Sequence, residues 1–405
     1  MDLKIFTDNI DWKAKEQIYT LLDQPAFQDC KVRIMPDVHA GAGCVIGFTA
    51  NLGDKVIPNI VGVDIGCGMR VVDLGKINID YERLDKNIRE CVPYGRAVHE
   101  PQNNYKLTRA MKIKKERVVL NRLHCHHSLK NTDWIMASMG TLGGGNHFIE
   151  IDEDATGNKY LVIHSGSRNL GKQVAEIYQQ IAIDKMIGNG LIRSQIQDMI
   201  AEYKRTGRER EIEDSIKKSR AALVPCKIPK DLCYLTGDDR IDYLDDMTFC
   251  QTFARDNREA MAEYICSLMG WAPIDSFESV HNYIDMSDNI VRKGAISAKI
   301  GQRVIIPINM RDGCILGVGK GNEDWNCSAP HGAGRIMSRS EAKQNISLEE
   351  YKATMSGIYT TSVSEYTIDE APMAYKPMDE IVNNISDTVD VQHIIKPVYN
   401  FKACE

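Results

Sequence analysis

Long apolar runs are the first thing this chain lacks. No stretch approaches the ~20 apolar residues that a membrane-spanning helix needs. The opening Met1-Asp2-Leu3-Lys4-Ile5-Phe6-Thr7-Asp8 has no apolar segment of the kind that directs export. There is no C-x-x-C…C-x-x-C spacing, so a structural zinc site is not expected. No repeat of 20–50 residues and no low-complexity tract occur, which excludes solenoids and propellers. The chain also lacks an excess of basic charge. Its net charge of −6 argues against a generally basic nucleic-acid coat while permitting a local basic strip.

What is present is ordinary globular composition, with 43% hydrophobic, 26% charged and 7% aromatic residues over 405 positions, so disorder, collagen and coiled coil are excluded. A core of this size needs no disulfide staple. The twelve cysteines are therefore read as small buried hydrophobes of a reducing, cytoplasmic protein, with one ligand among them.

β-rich runs at Lys31–Met35, Cys44–Ala50, Val56–Val63 and Met69–Leu74 alternate with glycine turns, among them Ala40-Gly41-Ala42-Gly43 and Asp64-Ile65-Gly66-Cys67-Gly68. Further strands are predicted at Asn146–Ile151, Tyr160–His164, Ala295–Ala298, Val304–Ile308 and Ile315–Val318. Residues 172–223 read as a charged helical insertion with a break at Thr206-Gly207. Leu244–Met269 is the longest helix candidate, Leu348–Tyr359 is a further helical segment, and a final helix-and-strand stretch ends at Lys402. With no clean linker, one large α+β domain over residues 1–405 is expected, with mixed β-sheets, glycine-rich active-site loops and flanking helices.

Residues 103–130 hold eight Lys or Arg (Lys106, Arg109, Lys112, Lys114, Lys115, Arg117, Arg122, Lys130) against Glu116 alone. Such a run is either a solvated face or a phosphate-contacting strip. His124, His126 and His127 crowd into the same segment as an exposed polar cluster.

Five other histidines, His39, His147, His164, His281 and His331, stand at strand edges or glycine turns, where the backbone can approach a ligand closely. Asp64 and Cys67 add a carboxylate and a thiol in one turn. A hard oxygen, a thiolate and several imidazoles suit Mn, Fe, Co or Zn better than Mg or Ca. The set indicates a metal site without naming a reaction.

The run Gly319-Lys320-Gly321-Asn322-Glu323-Asp324-Trp325-Asn326-Cys327-Ser328-Ala329-Pro330-His331-Gly332-Ala333-Gly334-Arg335 is not a P-loop, since no Gly-Lys-Ser/Thr occurs at the right interval. Gly140–Gly145 likewise lacks the G-x-G-x-x-G fingerprint of dinucleotide binding. Instead, glycines leave room around the His331 ring, with Arg335 four residues on. An imidazole nitrogen is a competent nucleophile at phosphorus, and arginine neutralises charge on its oxygens. A structural turn with a capping histidine is the other reading.

At these residues the chain resembles the RtcB family of RNA ligases. The similarity runs in order through Met35-Pro36-Asp37-Val38-His39, Val63-Asp64-Ile65-Gly66-Cys67-Gly68 and Gly144-Gly145-Asn146-His147-Phe148. It continues through His164-Ser165-Gly166-Ser167-Arg168, His281-Asn282-Tyr283, Arg292-Lys293-Gly294-Ala295 and His331-Gly332-Ala333-Gly334-Arg335, nearly the whole chain.

The resemblance implies GTP- and Mn-dependent joining of an RNA 3′-phosphate, or an opened 2′,3′-cyclic phosphate, to a 5′-hydroxyl. It does so through a histidine–GMP intermediate and an RNA 3′-ppG end, in RNA repair or tRNA splicing. It implies two Mn2+ held by Asp64, Cys67, His147, His164 and His281, with Cys67 bridging, and His331 as the nucleophile. Asn146, Asn282, Glu323, Gly332, Tyr375 and Lys402 would contact the nucleotide. Arg168, Lys293 and Arg335 would hold phosphates, with Asp37 in the catalytic set.

Two departures resemble a divergent bacterial or phage-like branch: Pro307-Ile308-Asn309-Met310 where the family has Pro-Gly-Ser-Met, and Lys402-Ala403-Cys404-Glu405 where it ends Lys-Gly. A metal-dependent phosphoesterase acting on cyclic phosphates and an RNA-binding module without catalysis are the competing expectations.

Overall fold

The computed structural model describes residues 2–100, 118–187, 189–221 and 228–403. Its strands, in chain order, begin with β1 (Asp2–Ile5), β2 (Lys31–His39), β3 (Ile46–Asn51), β4 (Gly68–Gly75), β5 (Phe148–Glu153), β6 (Lys159–Ser165) and β7 (Asp275–Val280). They continue with β8 (Asn282–Asp285), β9 (Ile290–Lys293), β10 (Ala295–Ser297), β11 (Arg303–Asn309), β12 (Gly313–Gly319), β13 (Ser328–Pro330), β14 (Tyr359–Thr360) and β15 (Val389–Lys402).

They form a sheet ordered β1-β2-β3-β9-β8, a pair β10-β13, and a large sheet ordered β11-β12-β15-β5-β6-β4-β7 with β14 on β15. The pairs β1–β2 and β14–β15 are parallel and the other named strand pairs antiparallel, so the sheets are mixed as expected for the α+β class.

Strand alternation sets the two faces of the large sheet. Ile149, Ile151, Leu161 and Ile163 pack under Met261 and Ile265 of the helix Gly237–Met269. The residues between them, Phe148, Tyr160 and Val162, turn to the other face and meet Ile305, Cys314 and Ile395. By the same period, Glu150, Asp152 and His164 lie on that second face. A third cluster joins the helices Trp12–Leu22 and Arg168–Met186 to β2 and β3.

The long helix carries polar residues on its buried side. Asn257 and Arg258 are fully buried. The Asn257 side-chain oxygen accepts from the Gly140 and Thr141 amides (2.7 and 3.1 Å), and its amide donates to Thr141, Ser165 and Gly166. Arg258 Nη1 donates to the Gly66 and Ser165 carbonyls, each at 2.8 Å, and its guanidinium faces Glu278 at 3.4 Å. One helix thereby fixes the glycine turns near residues 66, 141 and 166.

Several sequence expectations change in detail. Val56–Val63 is not a strand: Val56 makes one bridge to Leu235, and Pro58 opens the short helix Pro58–Val61, where its missing N–H costs nothing. The helical segment at Leu348 ends at Thr354 instead of Tyr359, which joins β14. The long helix begins earlier, at Gly237.

Within 172–223 the structure has helices Arg168–Met186, Asn189–Arg205 and Ile212–Ala221, with Gly207 at φ +72° in the break. The first of these buries Leu170, Val174, Tyr178 and Ala182 in the main core. The charged helical stretch therefore starts inside the core. Lys106, Arg109, Lys112, Lys114, Lys115 and Arg117 of the basic strip lie outside the described residues. Among the described residues no helix is long and apolar enough to cross a membrane.

Replacing Arg258 with Met removes donors from two buried carbonyls and a partner from Glu278, a change that costs about 3 kcal/mol. A lowered urea midpoint at unchanged slope is the expected result. An unshifted midpoint would show that the turns are held otherwise.

Candidate active site

Asp64, Cys67, His147, His164 and His281 cluster together, and His164 and His281 line a cleft of about 790 Å³. Cys67 Sγ lies 3.5 Å from His147 Nε2 and 3.3 Å from His164 Nε2. Asp64 Oδ2 is 3.0 Å from His147 Nε2, and His164 Nε2 is 3.4 Å from His281 Nε2. The His281 ring is 4.9 Å, centroid to centroid, from that of His331. Asp37 Oδ2 then closes the series at 2.6 Å from His331 Nδ1 and also accepts from the His331 and Gly332 amides (3.1 and 3.2 Å). Strand β2 brings Asp37 there, buried completely beneath the ring.

The surroundings set the charge of these groups. Burial raises the Cys67 thiol well above its ordinary value, and the Asp64 carboxylate adds to the rise. Burial alone would also raise Asp64, but its hydrogen bond to His147 and the nearby charges of His147 and Arg168 hold it down at about 2. Burial lowers His164 and His281 well below the usual imidazole value, aided by the neighbouring rings. The cluster thus presents the neutral imidazoles of His164 and His281, the anionic Asp64 carboxylate and the Cys67 thiol.

This donor set fits a divalent transition ion. His147 Nδ1–H donates to the Leu142 carbonyl (2.9 Å) and His164 Nδ1–H to that of Asn146 (3.2 Å). Both Nε2 atoms face the Cys67 sulfur, that of His147 also facing Asp64 Oδ2 at 3.0 Å, and a ring N–H anchored on a carbonyl is the usual support of a metal-bound histidine. Cys67, His147 and His164 each offer a ligand atom within 4.8 Å of the others.

Two glycines are required by close approach. A Cβ on Gly166 would stand 2.1 Å from the Asp64 carboxylate, and one on Gly143, which also has φ +86°, would overlap the Arg168 guanidinium. That guanidinium reaches Thr141 Oγ1 and the Gly95 carbonyl (3.3 Å each) and lies 3.5 Å from the His147 ring.

Asn146, His331, Gly332, Arg335, Tyr375 and Lys402 line the cleft, together with His39. Lys402 Nζ pairs with Glu370 Oε2, which also accepts from Tyr375 Oη at 2.8 Å. Arg335 donates to Tyr375 Oη (3.1 Å) and lies 3.6 Å from Glu370 Oε1. Burial works against ionised Glu370, but Lys402 and Arg339 bring its carboxyl down to about 2. Glu370, absent from the sequence-derived set, thus organises the second end of the cleft. It sits in a short 3-10 helix, Glu365–Glu370, that carries no motif.

Four expected contacts are not on the cleft wall, Arg168 with its guanidinium on Thr141 and Gly95 being the first. Asn282 is turned inward, its side chain donating to the Asp64 carbonyl (3.4 Å) and accepting from the Gly294 amide (3.0 Å). Lys293 Nζ is held by the Ala42 and Asn59 carbonyls (3.1 and 2.8 Å), so its ammonium supports a loop instead of facing the cleft. Glu323 is exposed in a turn pinned elsewhere by Trp325, whose ring stacks on Phe6 at 3.6 Å. Nor does the His124 cluster join the site, since His124 faces Asp242 and Asp245 on the long helix.

A cleft that pairs a sulfur–imidazole donor set with a carboxylate-held histidine belongs to enzymes that transfer groups with help from metal ions. Comparison with known proteins narrows this. The family model described as tRNA-splicing ligase RtcB matches residues 17–403, and the chain belongs to the RtcB family of RNA ligases. It is 28% identical to the RNA-splicing ligase RtcB of Escherichia coli K12, covering 97% of this chain and 95% of that protein. To the tRNA-splicing ligase RtcB of Archaeoglobus fulgidus it is 26% identical, covering 91% and 86%. Identity to the RNA-splicing ligase RtcB of Mycobacterium bovis is also 26%, over 86% and 90%. The chain is therefore an RNA ligase, and its substrates are RNA.

In Gly166→Ala the added methyl displaces the Asp64 carboxylate. Isothermal titration with Mn2+ should show at least tenfold weaker binding, whereas Gly53→Ala, where a Cβ meets nothing within 4 Å, binds as the unaltered chain. Equal affinities would remove Asp64 from the ligand set.

Proposed function

We propose that this ligase joins an RNA 3′-phosphate, or a 2′,3′-cyclic phosphate that is first opened, to a 5′-hydroxyl, with GTP and a covalent His331–GMP intermediate. It would act in the cytoplasm, in RNA repair or tRNA splicing. The observation that carries the reading is the 2.6 Å contact between Asp37 and His331 Nδ1. A buried carboxylate that accepts the Nδ1 proton fixes the tautomer with its lone pair on Nε2, and it balances the positive charge of an imidazole substituted at that nitrogen.

His331 Nε2 attacks the α-phosphorus of GTP. A P–N bond forms, the P–O bond to pyrophosphate breaks, and the Nδ1 proton stays on the Asp37 hydrogen bond. An oxygen of the RNA 3′-phosphate next attacks the same phosphorus, the P–N bond breaks, and GMP passes to the RNA end as 3′-ppG. The 5′-hydroxyl then attacks the RNA phosphorus, loses its proton and expels GMP, and the phosphodiester is formed. Held by Asp64, Cys67, His147, His164 and His281, two Mn2+ ions would supply positive charge to the phosphate oxygens.

Asn146, Gly332, Tyr375 and Lys402 hold the nucleotide, and Arg335 and Arg168 face phosphates. Asn282 and Lys293 contribute from behind the wall, by fixing the Asp64 turn and the loop at Ala42.

Incubation with α-labelled GTP and Mn2+ should label the chain covalently, and His331→Ala should abolish the label. Asp37→Asn should slow labelling by roughly 100-fold through loss of the tautomer. Label retained in His331→Ala overturns the nucleophile. Ligation or cyclic-phosphate opening that proceeds equally without GTP favours a phosphoesterase.

A further inference from the structure

Tryptophan is on average a well-buried residue, and one of the four here is left out. Trp325 is buried and Trp134 and Trp271 are half-buried, whereas Trp12 is 69% exposed among the described residues. It stands on the wall of the cleft, and so does Ile336, which is 53% exposed. A single apolar side chain on a surface needs no explanation. Two large ones at the open edge of the cleft that receives RNA ask for an occupant.

Trp12 is also held in place. Asp11 caps the helix Trp12–Leu22, its side chain accepting from the Ala14 amide at 2.9 Å, so the ring stands on the first helical residue. Ala14, Ile18, Leu21 and Leu22 anchor the helix in the core. The chain before it is tied down as well. Lys376 Nζ donates to the Asn9 and Pro36 carbonyls (2.8 and 2.9 Å), and the Asn9 side-chain amide donates to Glu380 at 3.1 Å. Little ordering therefore remains to be done when a group settles on the ring.

Charge offers less than the ring does. Of the cations on that wall, Arg339 is paired with Asp369 and Glu370. Lys13, its ammonium 5.7 Å from the Trp12 ring centre, shares the wall with Asp11 and Glu341. Phosphate attraction is accordingly weak at this edge, and a flat aromatic face is what it presents. RNA is a polymer, so a strand bound at the reacting groups leaves the cleft past its edge, where a base loses its neighbour in the stack.

We infer that Trp12 is a stacking platform for one base of the single-stranded RNA substrate and positions the strand where it leaves the cleft, with Ile336 as an apolar flank. Every base has a π-face, so such a platform adds affinity without selecting sequence. The role requires that the substrate is RNA and does not rest on the His331–GMP intermediate.

The test titrates the full chain, with Mn2+ and without GTP, into fluorescein-labelled single-stranded RNA decamers, one ending in a 3′-phosphate and one beginning with a 5′-hydroxyl, and reads anisotropy. In Trp12→Ala at least one decamer should bind roughly tenfold more weakly, while Trp12→Phe, which keeps a ring, should stay within about threefold of the unaltered chain. The decamer that weakens identifies the strand that crosses the ring. That RNA should quench tryptophan emission in the unaltered chain and much less in Trp12→Phe. Removing one base at a time from the decamer should reveal a position whose loss weakens binding to the unaltered chain but not to Trp12→Ala. This abasic series on the unaltered chain also covers the case in which Trp12→Ala fails to fold. Affinities for both decamers unchanged in Trp12→Ala overturn the platform. So does a loss that no abasic position reproduces, which would identify a packing role for the ring instead.

Discussion

Two side chains on one helix decide whether the site exists. Asn257 and Arg258 hydrogen-bond backbone groups of the turns at Gly66, Gly140–Thr141 and Ser165–Gly166, with further bonds to the Ser165 hydroxyl and the Glu278 carboxylate. Those turns carry Asp64, Cys67, His147 and His164 on their flanks. Glycine-rich loops have no intrinsic preference for one shape, so convergent ligands require an external template. A fully buried guanidinium and amide supply it, because leaving their partners unpaired would be costlier than any alternative loop path.

The cleft runs between two differently charged ends. At one, the imidazoles of His147, His164 and His281, the Cys67 thiol and Asp64 lie together as a donor set that fits a divalent cation. At the other, Glu370 gathers Lys402, Tyr375, Arg335 and Arg339 into one ionic network. His331 stands at the cation end, held from beneath by Asp37. Such a site sets cationic side chains at one end and, at the other, the carboxylate-held imidazole of His331. An RNA ligase needs both properties, because it must attract an anionic chain and still attack phosphorus within it.

Most of the histidine and cysteine positions were legible in the sequence because they stand at strand edges or glycine turns. Glu370 was not legible: nothing around it repeats or alternates, and its partners lie 5 to 35 residues away in the chain. Lys293 and Asn282 misled for the opposite reason. Their motifs are plain, but a lysine reaches whichever acceptors the fold offers, and the fold offered two carbonyls. Val56–Val63 looked like a strand by composition, and Pro58 overrode it.

By itself, then, the amino-acid order settled the mixed α+β class, the lack of an apolar run long enough for a membrane-spanning helix, and the short list of groups able to bind metal or attack phosphorus, since these follow from composition, local period and side-chain chemistry. Tertiary structure alone decided which of those groups meet. It seated Asp37 under His331 across 294 residues of chain and set Glu370 against Lys402. Such contacts depend on strand register and helix packing between distant segments, which no local pattern encodes.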